Sequence, residues 1–267
     1  VTRIVVKIGG EVVSGAELPA LAADVRDLAQ RGAEVAVVHG GGPQATALST
    51  RLGIETRQVG GRRITDAATL DVMKMVIAGQ VNVDLCAALT RAGVHPLGLH
   101  GAVRAVKRPP RVVSGGGPDP IDFGHVGDVI GFDLELLRLA WGARYVPVVA
   151  CLGVDAAGHV YNINADIVGN QLAGALAADH LFLVTSAPGV LADVRDPASR
   201  LPLLTVAQAR QAIADGVVTG GMIPKIEEAI AVLGTGVKAI HVVGKLNEGA
   251  LLREADAPGS VGTTLLP

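Results

Sequence analysis

Short runs of Val, Ile and Leu that close near glycine or a small polar residue alternate along this chain with longer segments in which Ala and Leu recur at helical spacing. The first run covers residues 4–8, the first helical segment 18–31 and the second run 34–38. This alternation predicts a parallel sheet whose strands are joined by crossover helices. Further strands are expected at 96–99, 145–149, 159–163, 181–184 and 239–243, and helices at 43–51, 66–78, 81–92, 134–141, 165–176, 206–214 and 222–233. In such sheets active sites lie beyond the carboxyl ends of the strands, so the residues that follow each apolar run are the ones to read for chemistry. Between Val103 and Asp128 the pattern breaks into Lys107-Arg108-Pro109-Pro110 and Ser114-Gly115-Gly116-Gly117-Pro118. Punctuation of this kind predicts hairpins or a flexible flap near the site rather than core.

The 267 residues are 49% hydrophobic and 18% charged, with a mean hydropathy of +0.44, which rules out general disorder. No repeat, linker or charge block divides them, so one continuous α/β unit is expected, with any division into halves near 162–166. A net charge of -2 and a pI near 6.4 exclude a polyanion-binding surface, and nucleic acid is not expected as a partner. Cys86 and Cys151 stand far apart without CxxC spacing; they provide no metal or disulfide framework and fit a reducing cytoplasm. The first apolar run stops at Lys7, too short for a signal peptide, and no apolar window is read as approaching the roughly 20 residues of a membrane span. A cytoplasmic protein without a membrane partner is therefore expected.

Five clusters carry polar chemistry. Lys7-Ile8-Gly9-Gly10 ends the first strand on a cation beside two residues that let a ligand approach the backbone. His39-Gly40-Gly41-Gly42-Pro43 closes the next strand and opens a helix whose free N–H groups suit a carboxylate, amide or phosphate. It is not GxGxxG, and no GxxxxGK(S/T) loop occurs, which speaks against nicotinamide-dependent redox chemistry and a P-loop. Arg62-Arg63-Ile64-Thr65-Asp66 places two planar forks for a carboxylate ahead of a helix that Thr65 or Asp66 can cap. Asn162-Ile163-Asn164-Ala165-Asp166 lies at a strand-to-helix junction, where capping by Asn164 and the helix dipole explain Asp166 but not Asn162. Thr219-Gly220-Gly221-Met222-Ile223-Pro224-Lys225 leads into a helix with Lys225 in its first turn, the wrong end for a cation. Each cluster alone also reads as a solvated or capping group. His39, His100 and His125 have no metal spacing, and no GxSxG elbow is present.

Taken in order and joined by Gly124-His125-Val126-Gly127-Asp128, the clusters resemble the amino acid kinase family from residue 5 to residue 265. The resemblance implies a three-layer α/β/α sandwich around an open, mainly parallel sheet. Within it, a half at about 1–164 binds the acyl amino acid and a half at about 165–267 binds MgATP. It implies transfer of the γ-phosphoryl group of ATP, with Mg2+, to the γ-carboxylate of N-acetyl-L-glutamate in arginine biosynthesis. That carboxylate is already ionised near neutral pH, so no general base is required. By the same resemblance, Lys7 and Lys225 neutralise the transferring group and Asp166 holds and orients them. Gly41 and Gly42 contact the substrate, Arg63 clamps its α-carboxylate and Asn162 touches the bound amino acid. Gly9 and Gly10 face the phosphates, and Ser186, Ala187, Pro188, Gly189, Val190 and Leu191 with Val217, Val218 and Thr219 form the ATP-binding segments. Ser186 departs from the family, whose members commonly carry aspartate there. No metal-ligating residues are expected.

Two other outcomes fit the same resemblance. One is a kinase for carrier-protein-linked 2-aminoadipate, with Arg104, Lys107, Arg108 and Arg111 as a basic stretch for an acidic protein. The other is a noncatalytic sensor, against which the presence of Lys7, Asp166 and Lys225 speaks. Arginine-inhibited relatives form hexamers through an extra N-terminal helix, whereas here the first strand begins within a few residues of Val1. A homodimer without that inhibition is expected.

Overall fold

The computed structural model describes residues 1–113, 115–193, 195–218 and 222–267, apart from the side chains of Pro224 and Lys225. The chain runs through β1 (Arg3–Ile8), α1 (Gly10–Val13), α2 (Leu18–Gln30), β2 (Glu34–His39), α3 (Gly42–Arg51), the two-residue strands β3 (Gln58–Val59) and β4 (Arg62–Arg63), and α4 (Ala67–Met73). A π-helical stretch (Lys74–Val81) leads into α5 (Asn82–Arg91), followed by β5 (Pro96–Leu99), β6 (Val103–Lys107), β7 (Gly127–Phe132), α6 (Leu134–Gly142), β8 (Val146–Ala150), β9 (Leu152–Val154) and β10 (Val160–Asn162). The last third holds α7 (Ala165–Leu176), β11 (His180–Val184), β12 (Leu203–Thr205), α8 (Val206–Ala214), α9 (Met222–Leu233), β13 (Ala239–Val243), α10 (Ala250–Asp256) and β14 (Thr263–Leu266).

The main sheet has eight strands in the order β12-β14-β13-β11-β1-β2-β8-β5. Every pair from β13 to β5 is parallel; β14 is antiparallel to β13 and carries β12 alongside it. β1, β2, β8 and β13 are almost wholly buried, as strands covered by helices on both faces must be. From β1 the chain steps outward to β2 and on to β5, then returns from β8 past β2 and β1 to β11 and β13. Right-handed crossovers place the helices of outward and return steps on opposite faces. Accordingly α2 packs with α5 and α10, while α7 lies over β1, β2 and β11 with α9 beside it. The result is the expected three-layer sandwich, and the reversal opens a crevice at the carboxyl ends of β1, β2 and β11.

Two sequence expectations change. Segments 66–78 and 81–92 are one helix, Ala67–Arg91, of 25 residues with a hydropathy of 1.4, so a window long and apolar enough to span a membrane does exist. Its apolar character is explained by packing: Val72, Val76, Ile77, Val81, Leu85 and Leu89 sit in the main core. The π stretch lets one helix keep both of its ends packed where the Gly79-Gln80 step reads as a break. The excursion after Val103 forms a hairpin, one of the two outcomes expected, but it also contributes to core. β6 and β7 pair antiparallel with a bulge between Arg104 and Ala105 and join β9 and β10 in a second, four-stranded sheet. Val103 and Ala105 belong to the main core, and the arm beyond them has a small core of its own in Val113, Phe123 and Val126.

Candidate active site

A cavity of about 640 Å³ opens at the carboxyl ends of β1 and β2. The loops after these strands line it together with the β3–β4 hairpin and the arm between β6 and β7. Gly9 leaves β1 with its N–H donated to the Val184 carbonyl at 3.1 Å, which ties the loop to β11. α1 then starts at Gly10 and α3 at Gly42, so close together that a Cβ on Gly10 would stand 2.8 Å from Pro43 Cδ and 3.2 Å from the Gly41 nitrogen. The N–H groups of Gly10, Gly41 and Gly42 donate to none of the described residues. These bare amides, with the positive dipole end of α3 among them, favour an anion. Gly41 is needed for space as well, since a Cβ there would meet Ile77 Cδ1 at 2.5 Å.

His39 fixes the loop from beneath. It is fully buried, and burial depresses its pKa. Its Nδ1 lies 2.9 Å from the Gly40 carbonyl, while Nε2 lies 2.9 Å from Asn82 Nδ2, which also donates to the Val148 carbonyl at 3.0 Å. These partners fit the neutral ring with its proton on Nδ1, donating to Gly40 and accepting from Asn82.

Lys7 Nζ pairs with Asp166 Oδ1 at the mouth of β1, the lysine side chain being 8% exposed and the aspartate 23%. Asn164 caps α7 by accepting the Asp166 N–H at 2.7 Å, which sets the carboxylate in the first helical turn, where the dipole favours it. Cys151 lines the cavity too, with its thiol pushed up to about 12 by burial, so it stays protonated and unreactive. Glu228 reaches the same cavity from α9.

Arg63, half-buried in the cavity wall, donates from Nη2 to Thr46 Oγ1 at 2.7 Å and the Gly42 carbonyl at 3.2 Å, and from Nη1 to Thr56 Oγ1 at 3.3 Å. No carboxylate among the described residues pairs with it. Nearby, Asn162 Nδ2 donates to Thr65 Oγ1 at 3.1 Å and Asp66 caps α4 by accepting the Thr69 N–H at 2.8 Å. A cation held by neutral oxygens is poised for an anionic ligand.

The sequence pattern of the amino acid kinase family matches residues 2–244. The chain belongs to the amino acid kinase family. The acetylglutamate kinase of Sorangium cellulosum (strain So ce56) is 58% identical over 268 residues, 99% of this chain and 94% of that protein. The acetylglutamate kinase of Anaeromyxobacter dehalogenans (strain 2CP-C) is 58% identical over 266 residues, 98% of each. Among solved structures, N-acetylglutamate synthase from Neisseria gonorrhoeae, complexed with coenzyme A and N-acetyl-glutamate, superposes with a TM-score of 0.83 at 25% identity. That match takes in all of this chain and 59% of the synthase chain.

In this amino acid kinase, Lys7, Gly9, Gly10, Gly41, Gly42, Arg63 and Asn162 line one cavity, and Asp166 joins them through Lys7. Lys225 lies in α9 with its side chain outside the described residues, and Thr219 lies outside them altogether. Ser186, Ala187, Pro188, Gly189, Val190, Leu191, Val217 and Val218 do not line the cavity. Val190 and Val218 are core residues, and the Val190 N–H donates to Thr263 Oγ1 at 2.8 Å. Ser186 to Pro188 follow the end of β11, the strand to which Gly9 is tied. Sequence reasoning missed Cys151 and Glu228 as lining residues and read Arg108 and Arg111 as part of a basic stretch on a segment near the site, where both line the cavity.

Proposed function

We propose that this amino acid kinase transfers the γ-phosphoryl group of MgATP to the γ-carboxylate of N-acetyl-L-glutamate, giving N-acetyl-L-glutamyl 5-phosphate and ADP, a step of arginine biosynthesis. The observation that carries this reading is one cavity that combines a charge-ready Arg63 beside Asn162 with Lys7, Asp166 and the bare amides of Gly10, Gly41 and Gly42. The 58% identity to acetylglutamate kinases over nearly the whole chain supports the substrate.

The attacking carboxylate needs no deprotonation at neutral pH, so the work left to the protein is alignment and charge stabilisation. Lys7 meets charge on the transferring oxygens, Asp166 holds its ammonium in place, and the glycine amides take up charge without reorganising. Lys225 acts as the second cation. Arg63 and Asn162 hold the amino acid, with Gly41 and Gly42 against it, in the half at about 1–164. In the half at about 165–267 the segments 186–191 and 217–219 hold ATP, with Gly9 and Gly10 at the phosphates. Mg2+ arrives on the nucleotide phosphates, as that ion commonly does in phosphoryl transfer. The working form is a cytoplasmic homodimer, and Met75 and Val83, exposed on the long helix, are apolar side chains that self-association would cover.

The test is ADP release with MgATP and hydroxylamine, which traps an acyl phosphate. N-acetyl-L-glutamate is compared with glutamate, aspartate and N-acetyl-aminoadipate. Activity confined to N-acetyl-L-glutamate is expected; preference for the longer acid would move the enzyme to lysine biosynthesis. Lys7→Ala and Lys225→Ala should each lower kcat by about 100-fold or more. Light scattering reads the dimer.

A further inference from the structure

We propose that Arg111 is a second guanidinium for the substrate's α-carboxylate, brought to it by the arm between β6 and β7 and acting with Arg63; this rests on the reading of the substrate above. The cations lining the cavity are not equally satisfied. Lys7 is neutralised by Asp166, and Arg108 is held by Asp128 at 2.7 Å and the Gly127 carbonyl at 3.2 Å. Arg111 differs from both. Its backbone is bonded in both directions to Ile121, at 3.2 and 3.0 Å, and so is anchored on the small core of the arm. Its side chain lines the cavity, yet Nε is buried without a hydrogen-bond partner, and the one carboxylate whose charge reaches it, Asp128, is bonded to Arg108 instead.

A guanidinium cannot shed its charge, and a buried donor left unmade is costly, so an anion in the cavity is the partner that completes Arg111. Arg108 and Arg62 repel Arg111, and Asp128, whose carboxylate already holds Arg108, offsets that only in part. The substrate carries two carboxylates, and the γ-carboxylate must stay free to attack beside Lys7. The α-carboxylate offers about four acceptor sites. Arg63 has five N–H donors and spends three on Thr46, Thr56 and the Gly42 carbonyl, leaving two. Arg111 supplies donors that Arg63 lacks.

The test pairs Arg111→Met and Arg111→Lys with two substrates, N-acetyl-L-glutamate and its α-carboxamide analogue, which keeps the γ-carboxylate. In the wild type the analogue should be much the poorer substrate. Arg111→Met should lower kcat/KM for N-acetyl-L-glutamate by about 10- to 100-fold, through KM, and change the analogue by less than about threefold, because the lost partner is already absent there. Arg111→Lys should fall between. Equal losses on both substrates, or none on either, would overturn the inference, as would a fall in kcat and melting temperature without selectivity. Wild-type turnover of N-acetyl-L-glutamate separates the two levels: its absence overturns the substrate reading and this inference together, whereas turnover with equal losses overturns this inference alone.

Discussion

Replacing Gly169 by alanine should cost activity without costing the fold. Gly169 lies in α7 one turn after Asp166, and a Cβ built on it stands 3.0 Å from Lys7 Cβ and 3.1 Å from Lys7 Cγ. Those contacts are a few tenths of an ångström too tight, so one partner has to move. The Lys7 backbone is held between Leu183 of β11 and Val38 of β2 in a fully paired strand, which leaves the lysine stem as the part that yields. A shift at Cγ is passed through three further bonds to Nζ. In a helix interior glycine to alanine ordinarily stabilises by about 1 kcal/mol, whereas overpacking costs about 1–3 kcal/mol. The two nearly cancel, so the melting temperature should stay within a few degrees. With Lys7 proposed to meet the transferring phosphoryl, a misplacement approaching 1 Å there is worth about 100-fold, so kcat should fall by about 10- to 100-fold. ADP release and calorimetry on the same preparations read both quantities. In the Lys7→Met background the alanine should add little, because the group it displaces is gone. A raised melting temperature with unchanged kcat would refute the reasoning, since it would mean that α7 does not set the position of Lys7.

Gly41 and Gly42 should respond differently to alanine. At Gly41 the new Cβ meets Ile77 Cδ1 at 2.5 Å and Val81 Cγ2 at 3.2 Å inside the core, so denaturant titration should show a loss of about 1–3 kcal/mol. At Gly42 it meets nothing within 4 Å, so stability should hold while KM for the acyl amino acid rises; an unchanged KM would remove Gly42 from the substrate's path. Acid should destabilise the enzyme in a definite window. Burial, with the neighbouring His241 adding to it, lowers His180 to about 4, and burial also lowers His39. Between about 6.5, where an unfolded histidine titrates, and those lower values the unfolded chain binds more protons, so stability is full above the window and falls as pH drops through it. Urea midpoints at about pH 7.5 and 4.5 should differ accordingly, and His180→Gln should flatten the slope; an equal slope would show that His180 is not its source.

What could be read from the chain and what could not divide along sequence distance. The strands at Pro96–Leu99 and Ala239–Val243 fall where the apolar runs place them, β1 and β2 differ by a residue at one end and β8 is shifted by one at both, because an apolar run bounded by turn residues announces itself by composition. The short strands β12 and β14 do not, since three or four residues become a strand only when a distant partner pairs with them, and β9, paired with β10 across a short turn, is too brief to stand out. The site follows the same division. That Lys7, Gly10, Gly41, Arg63 and Asn162 come together in one cavity, with Asp166 joined through Lys7, is legible because most of them stand at or just beyond strand ends. The work of His39 depends on Asn82, 43 positions away, and the unmet charge of Arg111 is visible only once the arm is folded over the cavity. Gly41 carries both kinds of demand. As an N-terminal amide at α3 it is readable from Gly-Gly-Gly-Pro, but the wall that crowds a side chain there is Ile77, inside a helix the sequence pattern breaks in two. The long helix therefore constrains Gly41 independently of the ligand proposed for it, and the π stretch through Ile77 and Val81 is part of what shapes this end of the cavity.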